Sequence, residues 1–212
     1  MRRIIIFVEI LVLNKMISKK FIAQQMGEVV SHTISNDATE KLASILIYIE
    51  LEKNEFLLKE GEISDLVYYV KRGLLRQFCY KNGKELTEHF ACEENIFICL
   101  DSFFCRKPTH AAIEALEPTA LYGIPYEPFM SLVRECGEIS LMYCRIMEMM
   151  LTGIQKKIFE FQFETANERY QRFLKERPDI IQRVPLLHIA SYLLMSPETL
   201  SRVRAGILNG SA

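Results

Sequence analysis

Val184 to Arg204, VPLLHIASYLLMSPETLSRVR, decides the reading of this chain. It divides into two short helices with a break between them. In the first, Leu186, Ile189, Ala190 and Leu193 recur at helical spacing. The second opens with Ser196, whose hydroxyl can accept from an orphan amide, then Pro197, which has no amide to lose in the first turn. Glu198 follows, suited to the positive end of the helix dipole. Leu200 and Val203 form its inner face, leaving Glu198, Thr199, Ser201, Arg202 and Arg204 outside. The connection Leu194–Ser196 is as short as a helix-turn-helix needs. Such a second helix is built to enter the DNA major groove with its N-terminal residues on base edges. Two short amphipathic helices with a tight turn also occur in proteins that never touch DNA.

The chain has 212 residues, half of them hydrophobic, so a sizeable core is available. Its net charge of −1 conceals an asymmetry. Residues 169–212 carry seven Lys/Arg (Arg169, Arg172, Lys175, Arg177, Arg183, Arg202, Arg204) against three acids. A basic end on an acidic body is the footprint expected where one end meets phosphate; a solvated basic face is the plainer alternative. The six cysteines, at 79, 92, 99, 105, 136 and 144, show no C-x-x-C pair. They read as free, mostly buried thiols in a reducing cytoplasm. No metal or cofactor is evident, and no catalytic motif: Ser/His/Asp order, HExxH and phosphate-cradling glycine loops are all missing, which argues against an enzyme.

Outward from that stretch, Thr165–Glu176 reads as a helix with Tyr170, Phe173 and Leu174 inward, ended by Pro178 and followed by a linker over Asp179–Arg183. Before it lies a long helix. Ile139, Tyr143, Ile146, Met150, Ile154 and Phe161 step by threes, fours and sevens, with Lys157 the one charged member of the seam. Met142, Met147, Met149 and Leu151 form a second apolar shoulder, and Gly153 lies where two backbones could approach. The double face predicts one stripe on the body and one, Ile139 to Phe161, on a second copy of the chain.

From Glu55 to Ile124 the grammar is that of strands. Leu66–Val70, Leu74–Tyr80, Glu85–Cys92, Ala111–Leu116 and Ala120–Ile124 are short β-rich runs, and Asn82-Gly83 is a strong hairpin signal. They predict a small antiparallel barrel or jelly roll. Ser35–Ile49 reads as a helix capped by Asn36 or Asp37, with Leu42, Ile45, Leu46 and Ile49 on one face. At the start, Arg2 and Arg3 precede the apolar run IIIFVEILVL, too short to span a bilayer and interrupted by Glu9. It reads as a cytoplasmic segment packed on the body, or as sequence preceding a true start at Met16 or Met26; no membrane partner is expected.

In this order the chain resembles the Crp/Fnr family of bacterial transcription regulators, in the cyclic-nucleotide-binding-domain superfamily. FLLKEGEISDLVYYVKRGLLR (56–76) and IASYLLMSPETLSRVR (189–204) carry the resemblance, which covers residues 35–204. It implies an α+β chain in four parts: a segment of unassigned status (1–34), an antiparallel β-roll of the cyclic-nucleotide-binding type (35–133), a dimerisation helix (134–164) and a helix-turn-helix domain (165–212). It implies double-stranded DNA, a second copy of the chain and RNA polymerase as partners. Base contacts fall to Glu198 and Arg202, with Ser201 beside them, Thr199 placed for a phosphate or thymine methyl, and Ser196 and Arg204 on the DNA backbone next to Pro197.

The resemblance also marks two departures. Where cyclic-AMP-responsive members hold the ribose and cyclic phosphate with a Gly-Glu and an Arg-Ser-Ala, this chain has Cys99-Leu100 and Thr109-His110-Ala111. Leucine cannot bond a ribose hydroxyl and threonine brings no charge to a phosphodiester. Cyclic AMP is therefore not the expected effector. Leu100, Thr109 and His110 would line a pocket for another, unknown one, though His110 reads equally as an exposed loop residue. Ala205–Ala212 are too few for the family's β-hairpin wing. The rival expectations are a small-molecule sensor with a degenerate DNA end, and a protein-interaction module using the long helix.

Overall fold

The strand Leu66–Arg72 shows how this chain divides its apolar residues. Side chains alternate across a strand, and here Val67 and Tyr69 enter one core while Tyr68 and Val70 enter another. The computed structural model describes residues 18–206. Within them lie eight strands: β1 (Ile47–Leu51), β2 (Phe56–Leu58), β3 (Leu66–Arg72), β4 (Leu75–Lys81), β5 (Lys84–Ala91), β6 (Ile96–Phe97), β7 (Ala111–Ala115) and β8 (Thr119–Pro125). They form two antiparallel four-stranded sheets, ordered β1-β8-β3-β6 and β2-β7-β4-β5. Leu58, Leu75, Phe97, Ile113 and Leu121 fill the space between the sheets. The expected β-roll is present. Asn82 and Gly83 both take positive φ, as the tight β4–β5 hairpin requires.

Helices cover the outer face of the first sheet. α1 spans residues 18–29 and buries Ile22, Ala23 and Met26. α2 (Asn36–Ile45), α4 (Tyr126–Glu135) and α5 (Gly137–Phe163) join it over Val67, Tyr69, Tyr122 and Ile124. The described part of the N-terminal segment thus packs on the body, with Met26 inside the core; residues 1–17, and with them Met16, lie outside the described residues. A short α3 (Leu100–Cys105) bridges β6 and β7.

The helix expected over Ser35–Ile49 is shorter. It ends at Ile45, and β1 begins at Ile47, so Ile49 belongs to a strand that pairs with β8. The run Ile47, Tyr48, Ile49, β-branched and aromatic, suits both periods, and the free edge of β8 decides between them. The cap is Ser35, whose Oγ accepts from Ala38 N, and Ser35 is itself held by the Glu138 carboxylate at 2.6 and 2.8 Å. The cysteines are free, but only Cys99 is buried; Cys105 and Cys144 are exposed.

The last third forms a unit of its own: α6 (Ala166–Glu176), α7 (Pro178–Arg183), α8 (Leu186–Tyr192) and α9 (Pro197–Arg204). Thr165 and Glu168 make a reciprocal capping box at the start of α6. The linker expected over Asp179–Arg183 is instead helical, because Pro178 sits at the first helical position, where it initiates as readily as it terminates. Tyr170, Phe173, Ile189, Leu193, Leu200 and Val203 form this unit's core, and Leu74, Phe90 and Leu116 of the β-roll complete it.

Candidate nucleic-acid interface and junction cleft

α8 closes at Leu193 and the chain reverses through Leu194, a non-glycine residue at φ 51°. Met195 N donates to Ala190 O (3.0 Å) and Leu194 N to Ser191 O (3.1 Å), the paired bonds of a Schellman ending. α9 starts at once: Ser196 Oγ accepts from Thr199 N at 3.1 Å, and Pro197 occupies the first turn. Leu200 and Val203 are buried; Ser196, Pro197, Glu198, Ser201, Arg202 and Arg204 are exposed, and Thr199 is half-buried. The expected interface residues therefore share one outward face. Glu198 bonds back to Ser196, which holds its carboxyl below the usual range. Among the described residues neither Arg202 nor Arg204 makes an ion pair. Leu186, expected on the inner face of α8, is exposed, since α8 begins there with its first turn beyond the core.

The basic excess of the C-terminal stretch is largely turned inward. Arg172 pairs with Glu160 (2.8 Å) and Glu164 (3.0 Å). Arg183 reaches Glu93 (2.9 and 3.0 Å) and Glu117 (2.5 Å) on the β-roll. Arg169 donates to the carbonyls of Leu193 and Glu164. Net charge by residue range overstated what the surface offers to phosphate.

These contacts dock the C-terminal unit on β5, the edge strand of the second sheet. Ser191 of α8 donates to Glu85 O (3.0 Å) and accepts from Thr87 N (2.8 Å), satisfying edge groups that lack a neighbouring strand. The β4–β5 register shifts between Gln77 and Phe78, leaving Glu88 as the extra residue, and Lys157 of α5 donates to its free carbonyl. Beneath α8, the fully buried Arg76 bonds Thr87, Glu85 and Glu114.

The expected dimer stripe is split. Ile139 and Ile146 are sealed in their own chain's core, so they are not available to a second copy. Tyr143 and Met150 pack against that core from its margin, and Phe161 is half-buried. Of the six, only Ile154 stands out in solvent. The cause is geometric: α5 is longer than the body it covers, and only its first half, to Met150, packs on that core. Beyond it a different seam is exposed, Leu151, Ile154 and Ile158, at spacings of three and four, with Met147 half-buried ahead of it. A Cβ on Gly153 would meet nothing within 4 Å among the described residues. Leu151, which the sequence places on the second apolar shoulder, belongs to the exposed seam, and Ile158 joins it, because a seam carried straight on from Ile139 does not follow the end of the body.

Of the three expected pocket residues, Thr109 is buried, its Oγ1 3.1 Å from Cys99 Sγ and accepting from Ala111 N at 2.9 Å. His110 is exposed, as its plainer reading had it. Only Leu100 borders a cavity. Arg106, a cation of the same segment, turns away to Asp65 and lies over the Tyr126 ring. The cavity is a cleft of about 500 Å³ between β-roll, α5 and C-terminal unit, with His89, Lys157, Glu160, Arg177 and Tyr192 among its walls. Protein around the His89 ring, which solvent still reaches, and then the charges of Lys157 and Arg177 push its pKa down. Burial likewise lowers that of Lys157. The sequence carried one signal for this cleft, a lysine inside an apolar seam.

The comparisons agree with this architecture. Residues 48–136 match the model of the cyclic nucleotide-binding domain. The transcriptional activator protein Anr of Pseudomonas protegens is 27% identical over 165 residues, covering 72% of this chain and 67% of that protein. The Anr protein of Pseudomonas aeruginosa matches to the same extent. Among solved structures, FixK2 from Bradyrhizobium japonicum superposes with a TM-score of 0.66 at 18% identity, over 78% of this chain and 85% of its own. The c-di-GMP-responsive regulator CLP of Xanthomonas campestris gives 0.65 at 16%, over 82% and 92%. No helix among the described residues is long and apolar enough to cross a membrane. The chain thus carries a cyclic nucleotide-binding domain over residues 48–136, is similar to two transcriptional activators, and shares its fold with solved structures of the same architecture.

Proposed function

We propose that this protein is a cytoplasmic, homodimeric regulator that reads double-stranded DNA with α9 and answers to an effector other than cyclic AMP. The observation that carries this is the outward face of α9. Glu198 and Arg202 stand one turn apart on a capped helix, exposed and unpaired with each other. Glutamate can accept from cytosine N4 and arginine can donate twice to guanine. Ser201 and Thr199 flank them, and Ser196, Pro197 and Arg204 lie where the DNA backbone would pass. The seam Leu151, Ile154 and Ile158 supplies the surface for a second copy, and a dimer reads half-sites about one helical turn apart. RNA polymerase is the further partner such a regulator implies. Residues 207–212, and any wing they would contribute to, lie outside the described residues.

The test is selection of genomic DNA by the purified full chain at near-physiological salt, with light scattering for the oligomeric state. One enriched inverted-repeat site, bound by a dimer, is expected. A monomer that selects no DNA, with or without added ligands, would favour the alternative of a sensing or protein-interaction β-roll with a degenerate DNA end.

A further inference from the structure

The junction cleft changes character along α5. Met150 and Lys157 stand seven residues apart on one helix face, a separation of about 10 Å. Around Met150 the walls are apolar: Ile96, Ile98, Leu100 and Val29. Around Lys157 they are polar, with cations and carboxylates both present. Lys156 and Arg172 are held by Glu160 and Glu176, while the Glu88 carboxylate accepts from Gln77 and acts on Lys157 only through space. Lys157 makes no ion pair among the described residues. Its ammonium donates to the Glu88 carbonyl and lies 4.7 Å from the Tyr192 ring centroid, with no carboxylate within ion-pair distance among the described residues. Arg177 donates to Cys92 Sγ at 3.2 Å and has one carboxylate among the described residues, Asp179 at 3.8 Å. A half-buried cation that no carboxylate contacts, at the head of an apolar trench, is complementary to an anion with an apolar body.

We propose that this cleft binds a small monocarboxylate with an unbranched apolar chain, its head at Lys157 and Arg177 and its body along Met150 and Ile96. A ribose and base in the apolar section would leave polar groups unsatisfied, which argues for a plain hydrocarbon body. Phe173, Arg177 and Tyr192 belong to the C-terminal unit, so the ligand touches both the sensor and the helices that carry α9. Its affinity then depends on how that unit is docked, and by linkage docking depends on the ligand. Only this regulatory consequence rests on the function proposed above.

Isothermal titration of the full chain without DNA tests the site, using octanoate, decanoate and dodecanoate, with decanol and cyclic AMP as comparators. Saturable binding of decanoate is expected, with decanol weaker by about ten-fold, the loss of one charge-assisted hydrogen bond. Lys157→Met should lower decanoate affinity by a similar factor and leave decanol unchanged, while Lys157→Arg restores it. Arg177→Gln provides an independent variant, and melting curves verify that each folds. No saturable carboxylate binding, equal affinity for decanoate and decanol, or indifference to Lys157→Met would overturn the assignment. DNA affinity unchanged by saturating decanoate would overturn the linkage alone. Carboxylate binding without any DNA binding would uphold the cleft and remove the regulator reading.

Discussion

The two halves of α5 are built from the same kinds of residue and do opposite things. Before Met147, Ile139, Met142 and Ile146 are fully buried against the helices and sheet of their own chain. After it, Leu151 is 67% exposed, and Ile154 and Ile158 stand out with it. The arginines of the C-terminal unit divide in the same way: Arg183 is clamped to the β-roll, while Arg202 makes no ion pair among the described residues. What separates the members of each pair is whether the partner lies within the chain. Residue type does not reveal that; geometry does.

The largest test of this division compares Ile146→Ala with Leu151→Ala. The first leaves a cavity in a packed core and should cost about 2–5 kcal/mol in denaturant unfolding. The second, at a concentration where the chain is monomeric, should change stability by no more than about 0.5 kcal/mol. Leu151→Asp should instead abolish self-association in light scattering. If Leu151→Ala destabilised the monomer as much as Ile146→Ala, the exposed half would have an internal partner and the comparison would fail.

Next comes the outward arginine. Arg202→Ala should weaken binding to a selected site by about 1–3 kcal/mol and relax preference at one base pair, if it reads guanine. Its melting temperature should not move. A uniform loss across all sequences would reassign Arg202 to a phosphate.

The inward arginine gives a smaller effect with a pH signature. Burial alone would raise the Glu93 carboxyl; hydrogen bonds from Arg183 and from the Glu93 and Gly73 amides outweigh it and hold the pKa below the ordinary value. A depressed folded pKa stabilises above the unfolded value, about 4.3, and that stability disappears as pH falls through the folded one. Arg183→Ala should therefore cost about 1 kcal/mol at neutral pH, screened as the pair partly is by solvent. The gap from wild type should close as pH drops below about 4. A gap constant with pH would mean that Arg183 acts by packing alone.

How much of this was legible beforehand follows the same line. The β-roll, the hairpin at Asn82-Gly83, the cap at Ser196 and the outer face of α9 were all written in local spacing. They survive because each is decided by residues within a few positions. Ile49 was assigned to a helix because its strand is settled by β8, more than seventy residues on. The first half of α5 was given to a partner because nothing local says where the body ends. The three inward arginines, Arg169, Arg172 and Arg183, read as surface charge in the sequence because their acceptors lie on other elements. The cleft at Lys157 needs three units brought together, and one lysine out of pattern was its whole trace.

The smallest prediction concerns Leu194, where the turn between α8 and α9 takes positive φ. A leucine there strains against its own carbonyl, at about 1–2 kcal/mol. Glycine would remove the strain and return part of the gain as lost chain entropy. Leu194 is 55% exposed, so little burial is forfeited. Leu194→Gly should thus raise stability by roughly 0.5 kcal/mol, read as a small upward shift in melting temperature. The bonds from Met195 N and Leu194 N to α8 need no side chain and should persist. If DNA affinity fell while stability rose, the leucine would be an outward residue like Arg202, strained in the free chain and used only when DNA is bound. If stability fell instead, Leu194 would belong with Ile146, held by apolar contacts at the turn that outweigh its strain.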